Sequence, residues 1–158
     1  MPSQSYHIVR LHHHDSRLLE SLDILHRDLM AYGGSTTALE QFTDFVIQRL
    51  GDERMLLILA LAGDTPVGYA MAFDVPEHPF MPEWQRSGYI TQFFVASEHR
   101  RHGVGQLLFD AIVEWLSSRG ITRVLLNVSP DNPLGNRFWH KQGFVPYLTR
   151  MSRETVRP

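Results

Sequence analysis

The chain contains no cysteine. That excludes disulfides, thiolate nucleophiles and cysteine-based metal sites together, and it fits a cytoplasmic setting. No apolar run approaches the ~18 residues needed to span a bilayer, and no signal-peptide pattern precedes the first polar residues. The expectation is a cytoplasmic protein with no membrane partner. An excess of one charge sign is missing as well. Fifteen basic residues against 17 acidic ones leave a formal net charge of −2, which argues against nucleic acid as a partner. Repeats, low-complexity tracts and interdomain linkers are absent. So is any acidic run that would favour a polycationic partner; Glu77 and Glu83 are the only hint of one.

What is present is ordinary globular material. The 158 residues are 43% hydrophobic and 20% charged, enough for one domain with a proper core. His12-His13-His14 invites a metal reading. Consecutive residues at a strand end point to alternate faces and do not converge on one ion, so a solvated turn is expected and no metal.

The periodicities give an order of elements. Tyr6–Leu11 reads as a strand, and Asp15 to about Met30 as a helix with Leu18, Leu22, Leu25 and Leu29 on one stripe. Gly33-Gly34 breaks it, and Thr37-x-x-Glu40 is a capping box opening a second helix. Met55–Ala62 and Val67–Asp74 flank a hairpin turn, Gly63-Asp64-Thr65-Pro66. The proline-rich stretch Val75–Ser87 stays out of a sheet interior. Tyr89–Val95 is the next strand. A helix follows, with Val104, Leu107, Leu108, Ala111, Ile112, Trp115 and Leu116 in helical spacing and Gly120 closing it. Thr122–Val128 reads as a buried strand. Asp131 or Asn132 caps a helix with Pro133 in its first turn, Gly143 ends that helix, and Phe144–Arg153 supplies one or two last strands. The order β-α-α-β-β-β-α-β-α-β predicts a mixed α/β (α+β) fold, its sheet covered by helices on both sides.

Between strand and helix stands Arg100-Arg101-His102-Gly103-Val104-Gly105. A basic glycine turn at a helix N-terminus leaves several N–H groups aimed at one spot, and the helix dipole favours an anion there. Glycines let the backbone approach a phosphate closely. A plain helix-capping turn would look similar. Two nucleotide fingerprints are excluded. G-x-G-x-x-G fails because position 108 is Leu, and G-x-x-x-x-G-K-[ST] is absent.

Arg100-x-x-Gly103-x-Gly105 resembles motif A, [Q/R]-x-x-G-x-[G/A], of the GNAT family of N-acetyltransferases. Asn132-Pro-Leu-Gly-Asn-Arg-Phe-Trp-His-Lys-Gln-Gly143-Phe144 resembles that family's motif B, in the right order and at the usual separation. The resemblance is tightest from Gly88 to Phe144. It implies the GNAT acyl-CoA N-acyltransferase fold over residues 1–158, with a mostly antiparallel sheet whose fourth and fifth strands splay around the cofactor. It implies acetyl-CoA as cosubstrate and a small-molecule or peptide amine as acceptor. The diphosphate would lie on Arg100, Arg101, His102, Gly103, Val104, Gly105 and Gln106. Pantetheine would pair with the backbone of Phe93, Phe94 and Val95, with Asn132 and Trp139 beside it, and an N–H near Phe94 would meet the oxyanion. Many members form dimers through edge strands or helices, so a homodimer is one implied assembly.

The chain also departs from the family pattern. Trp139 stands where many members carry a tyrosine acid, and an indole N–H is no proton donor near neutral pH. Tyr89, Thr91 and Asn127 stand where different subgroups carry a glutamate base. Glu77, His78, or water held by Gln92 and Asn127 remain as sources of a base, and no catalytic acid or base is assigned. Position in the family puts the acceptor where the Tyr32–Thr37 turn meets the Val75–Ser87 loop, with Tyr32, Phe80 and Trp84 as candidate walls. Two alternatives stand beside this reading: a non-catalytic acyl-CoA-binding or regulatory domain, and transfer of another acyl group.

Overall fold

The computed structural model describes residues 5–32, 39–77 and 85–155. The Gly33-Gly34 break, the capping box opening at Thr37, and His78, Phe80, Glu83 and Trp84 lie outside them. In chain order the elements are β1 (Tyr6–Arg10), α1 (Ser16–Tyr32), α2 (Leu39–Arg49), β2 (Met55–Ala62), β3 (Thr65–Val75) and β4 (Ser87–Val95). A 3₁₀ turn (Ser97–His99) leads to α3 (Val104–Ser118), β5 (Val124–Leu126) and α4 (Pro133–Lys141). The chain divides into two compact units, residues 1–126 and 127–158.

The first unit holds a five-stranded sheet in the order β1-β2-β3-β4-β5. Three pairings are antiparallel, and β4 with β5 is parallel. Every residue of β2 is buried, as expected of a central strand covered on both faces. Alternation sorts its side chains. Met55, Leu57, Leu59 and Leu61 join Leu19, Leu22 and Leu25 of α1, Val46 of α2, and Tyr69, Met71 and Phe94 in one core cluster. The intervening residues face the other side, where α3 packs and buries Val104, Leu108, Ile112 and Leu116. Gly88 of β4 lets α3 come close, because a Cβ there would lie 2.3 Å from Leu116 Cδ1.

Local signals place the helix ends. Asp15 caps α1 by accepting the Leu18 N–H at 3.0 Å. Gly120 follows α3 with φ of 72°, and Gly143 follows α4 with φ of 87°. In the β2–β3 hairpin, Ala62 pairs with Thr65, so the turn is only Gly63-Asp64. Thr65 and Pro66 belong to the strand, and the register shift between Ala60 and Leu61 accommodates the proline.

Two expected elements differ. The strand expected over Thr122–Val128 is confined to Val124–Leu126. No strand forms between Phe144 and Arg153, where Val145, Tyr147, Leu148 and Met151 stand exposed. The first difference has its cause in β4. The parallel pairing ends at Ile90↔Leu126, and the next residue, Thr91, is a β-bulge. For the second, β5 remains the last strand of the sheet among the described residues, and no strand follows it.

Candidate functional site

The site begins with the bulge. Met71 pairs with Gln92 and Ala72 with Ile90, which leaves Thr91 as the extra residue in β4. Its hydroxyl donates to the Met71 carbonyl at 3.3 Å. Before the bulge, the Gly88 N–H donates to the Arg123 carbonyl at 2.8 Å, so Gly88 and Ile90 turn their backbone toward β5. After it, the Ala96 N–H donates to the Val67 carbonyl at 2.8 Å. Strand alternation then turns Gln92 and Phe94 toward β3 as well, and Phe93 and Val95 toward the open edge. The splay of β4 from β5 thus has a one-residue cause. Phe94 itself cannot offer its N–H to that edge. The groups facing it belong to its neighbours.

At the end of β4 the chain makes the basic turn. Arg100 does not add a free charge. Its Nε–H donates to the Val95 carbonyl at 2.9 Å, and its guanidinium lies over the rings of Tyr32 (5.1 Å) and Phe94 (5.8 Å). Arg100 therefore staples the turn to the strand end and to the last residue of α1. Arg101 has φ of 64° and Gly103 φ of 86°. Two left-handed residues so close fold the backbone into a concave shelf, and Arg101 is the one non-glycine in that region among the described residues. His102 donates Nδ1–H to the Arg100 carbonyl at 2.8 Å, which leaves Nε2 facing outward. The 3₁₀ turn beneath is tied down by a 3.2 Å hydrogen bond between the Tyr6 hydroxyl and His99 Nδ1.

Gly103 is the N-cap of α3, and no side chain caps it. The first intrahelical bond is Leu107 N–H to the Gly103 carbonyl at 3.0 Å. The N–H groups of Val104 and Gly105 precede it and have no acceptor within the helix. Arg101, His102 and Gly103 are all exposed. A left-handed glycine, an uncapped helix N-terminus and an adjacent guanidinium make a shelf suited to an anion.

The sequence of residues 19–144 matches the model of the Acetyltransferase (GNAT) family. The chain belongs to the GNAT acetyltransferase family. No curated protein sequence matches the chain. Solved structures of similar fold cover nearly all of it. An aminoglycoside acetyltransferase from an uncultured soil metagenomic sample, solved with trehalose, superposes with a TM-score of 0.74 at 17% identity, covering 96% of this chain and 97% of its own. The aminoglycoside acetyltransferase AAC(6')-Iy, solved with a bisubstrate analogue of CoA and acetylneamine, gives 0.74 at 18%, covering 96% and 99%. A predicted acetyltransferase from Clostridium acetobutylicum, solved with acetyl-CoA, gives 0.75 at 19%, covering 95% and 96%. At these identities the likeness establishes the GNAT fold.

In GNAT terms, motif A is the turn just described. Motif B lies in the second unit. Asn132 caps α4, its Oδ1 accepting the Gly135 N–H at 2.9 Å. Gly135 permits this, since a Cβ there would lie 2.6 Å from Asn132 Nδ2. The cap uses the oxygen and leaves the Asn132 NH₂ to serve as a donor. Asn136 closes the same turn, its Nδ2 donating to the carbonyls of Ser129 and Asn132, both at 2.7 Å. Trp139 is 8% exposed, with its ring 4.8 Å from Phe138 and 5.3 Å from Phe144. It packs among these aromatic rings, and its indole N–H is no acid near neutral pH.

Most of the expected acceptor region, residues 33–37 and 78–84 with Phe80 and Trp84, lies outside the described residues. Tyr32 is exposed and sits by Arg100, at the Val95 end of β4. Val75 and Ser87, the anchors of the β3–β4 connection, pair with each other at the opposite end. Nine strand residues, roughly 26 Å, separate the two. Glu77 lies at that far end with Asp74, Arg86 and Arg119. Gln92 is half-buried opposite Met71, and Asn127, in the second unit, is exposed. Sequence reasoning missed the staple, and it did not say which residue of the splayed strand would bulge. A threonine inside an aromatic strand gives no sign that it will be the extra residue.

Proposed function

We propose that this GNAT protein transfers an acetyl group from acetyl-CoA to the amine of a small-molecule or peptide acceptor. The observation that carries this is the shelf at the start of α3, which follows directly on a bulged strand edge. CoA-bound relatives of the same fold support it. Acetyl-CoA supplies an acyl thioester open to direct attack by an amine. The chain's residues have three tasks. The amides of Val104 and Gly105, with the Arg101 guanidinium, hold the diphosphate. The Val95 N–H on the open edge holds the amide-rich arm, as an added strand would be held. Backbone N–H groups of the β4 edge beside Phe94 stabilise negative charge developing at the carbonyl oxygen. Arg100 positions that edge by occupying the Val95 carbonyl. No side chain is assigned as acid or base, and a thiolate leaves tolerably without a dedicated acid.

Isothermal titration with acetyl-CoA, CoA and ADP tests this. Micromolar binding of the first two, with ADP weaker, is expected. Gly105→Trp should abolish it while leaving the fold intact, because Gly105 is helical, whereas any side chain at Gly103 would also strain the backbone. Unchanged affinity in Gly105→Trp rejects the shelf as the diphosphate site.

One observation favours a second reading, a non-catalytic acyl-CoA-binding domain. Trp139 is packed away, and Tyr89, Thr91 and Asn127 carry no carboxylate. Thiol release with any amine eliminates it.

A further inference from the structure

A cavity of about 430 Å³ lies at the other end of β4. It is walled by Arg54, Arg86 and Arg119, with Asp74 at its floor and Pro76 and Glu77 at its rim. Asp74 is nearly buried, its side chain only 5% exposed. It holds Arg86 by two bonds, Nε to Oδ1 at 3.0 Å and Nη2 to Oδ2 at 2.7 Å. It also takes Arg119 Nε on Oδ2 at 3.0 Å. Arg86 Nη1 in turn donates to the Arg119 carbonyl at 3.2 Å.

This bookkeeping leaves donors over. Arg86 keeps one N–H on each Nη; the Arg119 guanidinium lies over the Trp115 ring at 5.2 Å, and its Nη groups have no hydrogen-bond acceptor among the described residues. Arg54 uses its backbone in the network, its carbonyl accepting the Asp74 N–H at 2.9 Å, while its guanidinium takes no part. Three arginines thus line one cavity with a single buried carboxylate, Asp74, and with Glu77 as the other negative group on its wall. Two of the three are held rigidly, so a ligand would not have to order them. Planar guanidiniums with spare paired N–H groups suit carboxylate and phosphate oxygens.

We propose that this cavity is a binding site for a small multivalent oxyanion, a di- or tricarboxylate or a phosphate, separate from the cofactor shelf. The two sites stand at opposite ends of α3, whose 15 residues span roughly 22 Å. The ligand would join Arg119 behind α3 to Arg86 and Arg54 at the sheet.

Calorimetric titration with citrate and with inorganic phosphate tests it on the full chain. One saturable site is expected, with a Kd for at least one of the two at or below about 1 mM. Arg54→Ala keeps the backbone bond to Asp74 and the Asp74 clamp, so the melting temperature should hold while affinity falls by about tenfold. Glu77→Gln should tighten binding severalfold. Gly105→Trp should leave it unchanged. No saturation by about 10 mM of either anion, equal affinity in Arg54→Ala, or loss of binding in Gly105→Trp would overturn the proposal, the last by placing the anion on the shelf.

Discussion

Replacing Arg101 by glycine should raise stability and lower cofactor affinity at once. Arg101 sits at φ of 64°, where the Cβ of an L-residue crowds the carbonyl at a cost of roughly 1–2 kcal/mol. Glycine removes that cost. It also gives the unfolded chain more freedom, worth roughly 0.4–1 kcal/mol against folding. The balance is a gain of about 0.5–1 kcal/mol. In a chain of this size each kcal/mol moves the melting temperature by roughly 2–4 °C, so the expected rise is about 1–4 °C. The same change removes the exposed guanidinium beside the α3 N-terminus. One charge-assisted contact is worth about 1.5 kcal/mol, so the acetyl-CoA Kd should rise by about tenfold. Arg101→Ala keeps a Cβ and loses the charge. It should lose affinity equally without gaining stability. Scanning calorimetry of the ligand-free variants and titration with acetyl-CoA give the two readouts. A lower melting temperature for Arg101→Gly, or unchanged affinity in both variants, would refute the view that strain at this residue is retained for binding.

Three other outcomes can be stated. A Cβ at Gly88 would press on Leu116, itself 1% exposed, so Gly88→Ala should cost about 1–3 kcal/mol by overpacking, and nearly nothing in a Leu116→Ala background; equal costs in the two backgrounds would show that α3 does not rest on this glycine. The Arg86 hydrogen bonds, opposed by burial and helped by Arg119, hold the Asp74 carboxyl below the usual carboxylate range. The stabilisation this gives is fully present above about pH 4 and is lost as pH falls through the lower folded value, so wild type should exceed Asp74→Asn by about 2 kcal/mol near neutrality, discounted because Arg86 is half-exposed. Urea unfolding as a function of pH should show that gap closing only in acid, and a gap independent of pH would refute the assignment. Arg100→Met frees the Val95 carbonyl and removes the guanidinium from Tyr32 and Phe94, and acetyl-CoA should bind about tenfold more weakly in calorimetry, an unchanged Kd showing that the staple does not position the edge.

Much of this was readable in the residues. The apolar run of β2, the helical spacing of α3 and the glycines after α3 and α4 each state their structure locally, because period and cap chemistry act within a few residues. Asn132, set just before Pro133, announced its cap. What stayed hidden depends on distant partners. The role of Arg100 is set by a carbonyl five residues back and by a ring on another helix. Asp74, closing an apolar strand, was a sign that a basic partner had to exist, but nothing nearby in sequence said that it would be both Arg86 and Arg119. The final strand was expected from composition. Pattern alone does not say whether a segment will join an open sheet edge.

The bulge at Thr91 has a consequence for how such a site can arise. It is a phase shift of one residue in a two-residue repeat. Without the extra residue, Phe93 and Val95 would take the orientation of Gly88 and Ile90, and the ladder to β5 could run on unbroken. A single-codon insertion or deletion can therefore open or seal the cleft, with no change to the amino acids that form its walls. A binding edge of this kind can be gained by descent in one step, and the side chains refined afterwards.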